Sequence, residues 1–208
     1  MLRLETVEPH TFSILKQLLE MPELMDFSLV GGTALSLLYG HRKSIDIDLF
    51  SEKTFDSSSI SSALKRKFKA KFIMEEKPVH FGIFCYVADV KIDFISHPHP
   101  LIRPKTNVED IRMFSIEDII AMKVQAILGR GRKKDFWDVA ELLDHFSVSD
   151  FIKFHKEKYA TQNLFITVPQ AITYFADAEE GEDPISLKNQ TWRSIQESIS
   201  SRVREYLA

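Results

Sequence analysis

The chain of 208 residues carries 27 Lys and Arg against 30 Asp and Glu, a formal net charge of -3, with 44% hydrophobic and 27% charged residues. Such a composition can bury a sizeable core. It excludes a disordered chain, a coiled coil and a general cationic coat for nucleic acid, whose nonspecific binding runs on clustered cations. No apolar run approaches the roughly 20 residues of a membrane span and the start shows no apolar signal segment, so a cytoplasmic protein without membrane contact is expected.

In chain order, Phe12, Leu15, Leu18 and Leu19 share one face of a helix over 11–21, which Pro22 helps close. Residues 27–30, Gly31-Gly32-Thr33 and 34–39 read as strand, tight turn and short helix ended by Gly40. Residues 44–50 alternate, with Ile45, Ile47 and Leu49 on one face and Asp46 and Asp48 on the other, the period of a half-buried strand. A helix over 56–69 ends in Lys65, Arg66, Lys67, Lys69 and Lys71, with Phe68 and Phe72 interleaved. That cluster reads as a solvated helix end ahead of an RNA-docking patch. Strands follow over 72–74, 79–87 and 90–95, the last two close enough for a hairpin, with Cys85 as a buried structural thiol.

The texture changes after the proline-rich passage 97–104, where His97 and His99 read as loop residues and not as a metal pair. Helices are expected over 115–128, 134–146, 149–159, 168–178 and 190–207. Trp137 and Trp192 read as packing anchors, and the acids between Asp177 and Asp183 as a solvated loop. The expected organisation is therefore α+β: a mixed-sheet core over 1–105 and a helical bundle over 106–208 packed against it.

Asp46-Ile47-Asp48 is the most informative triplet. Residues two apart on a strand share a face, and two carboxylates so close repel unless a cation intervenes. Hard oxygen ligands suit Mg2+ or Mn2+. Asp93, in the apolar run Ile92-Asp93-Phe94-Ile95, is an acid where a buried strand would favour none. Gly31-Gly32-Thr33 lets backbone approach an anion at a helix start, without the Lys of a P-loop. Lys123 and Arg130, seven apart, share a helix face, and so do Asp135 and Asp138, three apart.

These residues resemble the AbiEii/AbiGii-type nucleotidyltransferases, toxins of abortive-infection and toxin–antitoxin systems. The resemblance rests on Gly31-Gly32-Thr33 followed by Asp46-Ile47-Asp48, on Asp93, on Lys123-Val124-Gln125-Ala126 through Arg130, and on Asp135-Phe136-Trp137-Asp138. It covers about residues 25–145; the last 60 residues carry no matching motif. It implies a polymerase-β-like core that transfers a nucleoside monophosphate from an NTP to an acceptor hydroxyl, a tRNA 3′ end favoured, with a cognate antitoxin as candidate partner. Asp46, Asp48 and Asp93 would hold Mg2+ (or Mn2+). Gly31, Gly32 and Thr33 would grip the triphosphate, and Lys123 would neutralise the departing pyrophosphate. Arg42 and Arg130 would contact phosphate or pair with acids, and Asp135 and Asp138 would position the nucleotide or Lys123. Two alternatives remain open at this level: a metal-dependent phosphodiesterase or nuclease, and a non-catalytic nucleotide-binding module.

Overall fold

The computed structural model describes residues 1–75 and 81–208. Seven strands form one mixed sheet: β1 (Ser28–Val30), β2 (Ile47–Ser51), β3 (Phe72–Met74), β4 (Gly82–Val87), β5 (Val90–Ser96), β6 (Thr106–Val108) and β7 (Ile111–Met113). Their spatial order is β3-β4-β5-β2-β1-β7-β6, with β2/β5 and β1/β7 parallel and the other pairs antiparallel. The helices are α1 (Pro9–Leu19), α2 (Gly31–Tyr39), α3 (Ser57–Phe68), α4 (Ile116–Gly129), α5 (Lys133–Leu143), α6 (Val148–Lys158), α7 (Val168–Ile172) and α8 (Trp192–Leu207). None of the described helices is long and apolar enough to cross a membrane.

Local chemistry sets these boundaries. Pro9 opens α1, and Gly40, at φ +70°, ends α2 in the left-handed region. Asp56 caps α3 by accepting the amides of Ser58 and Ser59, and Ser115 caps α4 by accepting that of Asp118. The β4–β5 hairpin turns through Ala88 and Asp89 at φ 48° and 68°. Residues 79–80 of the strand expected over 79–87 lie outside the described residues; the strand itself starts at Gly82.

Two expectations change. The strand anticipated over 44–50 begins at Ile47, so Asp46 stands just ahead of it and Ile45 is 67% exposed instead of packed. The expected boundary at 105/106 falls inside the sheet, because β6 and β7 form a hairpin whose inner strand pairs with β1. The helical half starts at α4, and one continuous apolar core runs from Leu2 through Leu29, Phe94, Ile120 and Trp137 to Val203. The proline-rich passage is tied down: the backbone amides of Ile102 and Arg103 donate to Asp118, which Lys158 meets at 2.6 Å, wholly buried.

The aromatic anchors behave accordingly. Trp137 is fully buried and stacks on Trp192 of α8 at 5.8 Å, interplanar angle 11°. The acidic segment is no free loop, since Glu179 accepts from Trp192 Nε1 at 3.0 Å and Asp183 pairs with Lys133 at 2.7 Å. In the basic cluster, Arg66 pairs with Glu23, while Phe68 turns into the core. Cys85 is buried and donates to the Ile92 carbonyl, and burial pushes its thiol up to about 12.

Candidate active site

The parallel register of β2 and β5 puts Asp48 directly beside Asp93. Adjacent strands lie about 4.8 Å apart, so the two carboxylates emerge as neighbours on one face. Burial pushes the Asp93 carboxyl up to about 6, and the negative charge of Asp48 adds to the shift. Lys91, 3.7 Å away, offsets it only partly. Burial likewise raises Asp48. Asp93 Oδ1 is buried and bonds none of the described residues.

The Gly-Gly turn makes room for this arrangement. Gly31 sits at φ +70°, and a Cβ there would lie 2.5 Å from Asp48 Oδ2. The carboxylate therefore rests against the N-terminus of α2, where the helix dipole favours a negative charge. A Cβ at Gly32 would collide with the Arg42 guanidinium. Each glycine thus admits a side chain of this chain. Thr33 is buried, and its hydroxyl bonds Ser44 Oγ (2.8 Å) and the Asp46 carbonyl. It anchors the segment entering β2, and its side chain is not free to grip a triphosphate.

Behind the turn lies a second charged cluster. Lys123, with a side chain 8% exposed, meets Asp135 at 2.9 Å and Asp138 at 2.7 Å. Asp138 also accepts from Arg42 Nε and from His41 Nε2, each at 2.7 Å, and from Arg42 Nη2 at 2.9 Å. Burial opposes the charge on Asp138, but Arg42 and Lys123 overcome it and hold the carboxyl well below its usual range. Asp135 is lowered in the same way, chiefly by Lys123, and also caps the start of α5. The expectation that Lys123 neutralises pyrophosphate meets a geometry in which both of its acids already hold it. Arg42 is spent on Asp138. Other cations facing the acids are Lys91, 3.7 Å from Asp93, Lys134, 3.1 Å from Asp46, and Arg130, whose side chain is 54% exposed and 3.9 Å from Asp135.

Every residue expected at the site thus lies in one region: Gly31, Gly32, Thr33, Arg42, Asp46, Asp48, Asp93, Lys123, Arg130, Asp135 and Asp138. A narrow polar chamber of about 50 Å³ is bounded by Asp46, Asp48, Asp93, Arg130, Arg132 and Lys134. One flank opens to a cavity of about 370 Å³ with aromatic walls. The other opens to one of about 490 Å³ of mixed charge, bearing Lys43, Arg132 and Lys133 beside Asp177, Glu182 and Asp183. Sequence reading missed Lys134, although it adjoins Asp135; successive helical residues point about 100° apart, so a buried acid implies a neighbour turned elsewhere.

Among the described residues no three His, Cys, Asp or Glu side chains converge as a formed metal site. The expected triad is a pair, Asp48 and Asp93, with Asp46 turned to Lys134. The donor chemistry nevertheless fits a hard divalent cation, since two carboxylates stand side by side, Asp48 raises Asp93, and one buried oxygen of Asp93 bonds none of the described residues.

The family model described as nucleotidyl transferase AbiEii toxin, type IV TA system, matches residues 13–207. The chain belongs to the AbiEii family. It is accordingly a nucleotidyltransferase of a toxin family, and the match extends over the last 60 residues, where no motif is readable. The Aquifex aeolicus (strain VF5) protein aq_aa25 is 34% identical over 189 residues, 88% of each chain. Two solved structures share the fold. MenT4, a nucleotidyltransferase toxin from Mycobacterium tuberculosis H37Rv, has a TM-score of 0.59 at 10% identity, over 94% of this chain and 84% of that one. JHP933 from Helicobacter pylori has a TM-score of 0.55 at 18% identity, over 96% and 92%. The α+β architecture of this AbiEii chain is theirs.

Proposed function

We propose that this AbiEii protein moves a nucleoside monophosphate from an NTP to an acceptor hydroxyl, with the acceptor an RNA end and a tRNA 3′ end favoured, using Mg2+ or Mn2+. The observation that carries the reading is the pairing of Asp48 with Asp93 against the Gly31 turn, beside the partly exposed cations Lys134 and Arg130. Asp48 and Asp93 would hold the divalent ion, with Asp46 joining them once it exchanges Lys134. The ion supplies Lewis-acid stabilisation of charge on the reacting phosphoryl oxygens.

The chain's own residues do the rest. The acceptor hydroxyl attacks the α-phosphorus, the bond to the bridging oxygen breaks, and pyrophosphate leaves. Asp93, beside the reacting centre, would take the hydroxyl proton. Lys134 and Arg130 line the chamber and would meet the triphosphate, with Arg132 beside them. Lys123, Arg42 and Asp135 also border the chamber, and with Asp138 they would position this machinery through their mutual ion pairs. The flank bearing Lys43, Arg132 and Lys133 also carries Asp177, Glu182 and Asp183, with Lys133 paired to Asp183, so its charge is mixed and the choice of an RNA acceptor rests on the family resemblance. A cytoplasmic location and a cognate antitoxin belong to the same reading, on the strength of the family.

The test is incubation with each of four α-labelled NTPs, Mg2+ and total RNA. Label in RNA with release of pyrophosphate is expected. Shortening of RNA without added NTP would instead support a nuclease built on the same acids.

A further inference from the structure

The aromatic cavity beside Asp48 and Asp93 is unlike the rest of the site. Phe50 follows Asp48 by two residues on β2 and Phe84 faces Asp93 across β4–β5, so each projects beside a catalytic acid. Opposite them stand His97 and Tyr159: Phe50 lies 5.7 Å from His97, and the Tyr159 hydroxyl is 3.3 Å from His97 Nε2. Burial and nearby Lys158 push the His97 imidazole down to about 3, so it is a neutral ring at working pH. Flat apolar walls of this kind stack nucleobases without regard to sequence. At about 370 Å³ the space suits one base with its sugar.

Discrimination then needs a polar group in the wall. Gln125 of α4 lines the cavity, and its Oε1 is held 3.0 Å from Nε2 of His155 on α6. His155 is buried, and burial pushes it toward the neutral form. A ring nitrogen bonded to an amide oxygen must carry the proton, so His155 donates and occupies the oxygen. Gln125 keeps its two N–H donors, which bond no other described residue.

We infer that Gln125 is the base-reading residue of this nucleotidyltransferase and that His155 is its positioning residue: the fixed amide presents donors to the base and selects a carbonyl over an amino group at the edge it meets. The inference rests on the nucleotidyltransferase reading of the acid pair. It assigns the aromatic cavity to the NTP base and leaves the opposite flank, of mixed charge, to the acceptor.

The experiment measures equilibrium binding of ATP, GTP, CTP and UTP to the full chain, alongside label transfer. GTP differs from ATP, and UTP from CTP, in carrying a carbonyl where the other has an amino group. The wild type is expected to favour the carbonyl member of at least one pair by about tenfold or more, because a site built to bond one group rejects its replacement. Gln125→Glu, which presents an acceptor, reverses that preference. Gln125→Met keeps the shape, removes the donors and reduces the preference to about twofold or less. His155→Phe frees the amide to turn over and flattens the preference. A purely structural role for His155 would weaken all four nucleotides equally. The inference is overturned if the order of the four nucleotides is the same in wild type, Gln125→Glu and Gln125→Met while Asp48-dependent transfer persists. If wild type binds no NTP and transfers no label, the nucleotidyltransferase reading of the acid pair falls with it.

Discussion

Two charged clusters lie within one site and are built on opposite plans. Around Lys123, two acids meet two permanent cations at 2.7 to 2.9 Å, in a region from which solvent is nearly excluded. Its charges cancel within the protein. Around Asp48 and Asp93, like charges are forced side by side; Lys91 at 3.7 Å from Asp93, Lys134 at 3.1 Å from the flanking Asp46, and the more distant charge of Lys123 on Asp48 give only partial relief. A satisfied buried network fixes geometry and resists change, whereas an under-compensated pair is poised for a cation and a proton. Both clusters come from family motifs, yet they do different work.

The largest effect that would separate them is on activity. Asp48→Asn should lower label transfer by about 10³-fold, in the range seen when a main electrostatic element is lost. Its melting temperature should stay level or rise, since a repulsion has been removed. The second test strikes stability. Asp138→Asn leaves buried Arg42 and Lys123 short of a partner and should cost about 3–5 kcal/mol in denaturant unfolding. The sign of its pH dependence follows from the lowered carboxyl. The stabilisation is full above the unfolded value, about 3.9, and is lost as pH falls through the depressed folded value. Wild type should therefore lose stability on acidification more steeply than Asp138→Asn.

Smaller still, Gly31→Ala places a Cβ at φ +70° against Asp48 and should cost about 1–2 kcal/mol, with activity falling further than stability alone explains. Lys134→Ala should raise the NTP KM by about tenfold with stability changed by less than about 1 kcal/mol, because its partner Asp46 is one-third exposed. If Lys123→Ala instead left folding intact and reproduced that KM effect alone, the assignment of phosphate contact to Lys134 would be reversed.

The sequence shows these clusters unevenly. Strand alternation put Asp46 and Asp48 together, and the cost of an acid among apolar residues singled out Asp93, because both signals are local. That Asp48 lies beside Asp93 depends on a parallel register set by a crossover of some forty residues, which no short pattern encodes. The alternation also overreached, drawing Ile45 into a strand that begins at Ile47. Strands β6 and β7 were missed because three-residue strands carry almost no period, and Glu109-Asp110 turns at φ 50° and 65° without the usual Gly. Spacing put Lys123 near Arg130, but only packing reveals that Asp135 and Asp138 consume its charge. Tyr159, just past the end of α6, lines the cavity, and His155 of α6 reaches it through Gln125, both beyond any motif.

The central claim, that the Asp48–Asp93 pair is kept for a cation at a cost in stability, is tested most directly by denaturant unfolding of wild type and Asp48→Asn with and without Mg2+. The account predicts that Asp48→Asn is at least as stable as wild type without the ion, and that Mg2+ stabilises only the wild type. A variant less stable than wild type by more than 1 kcal/mol or so, or Mg2+ stabilising both proteins equally, would contradict it.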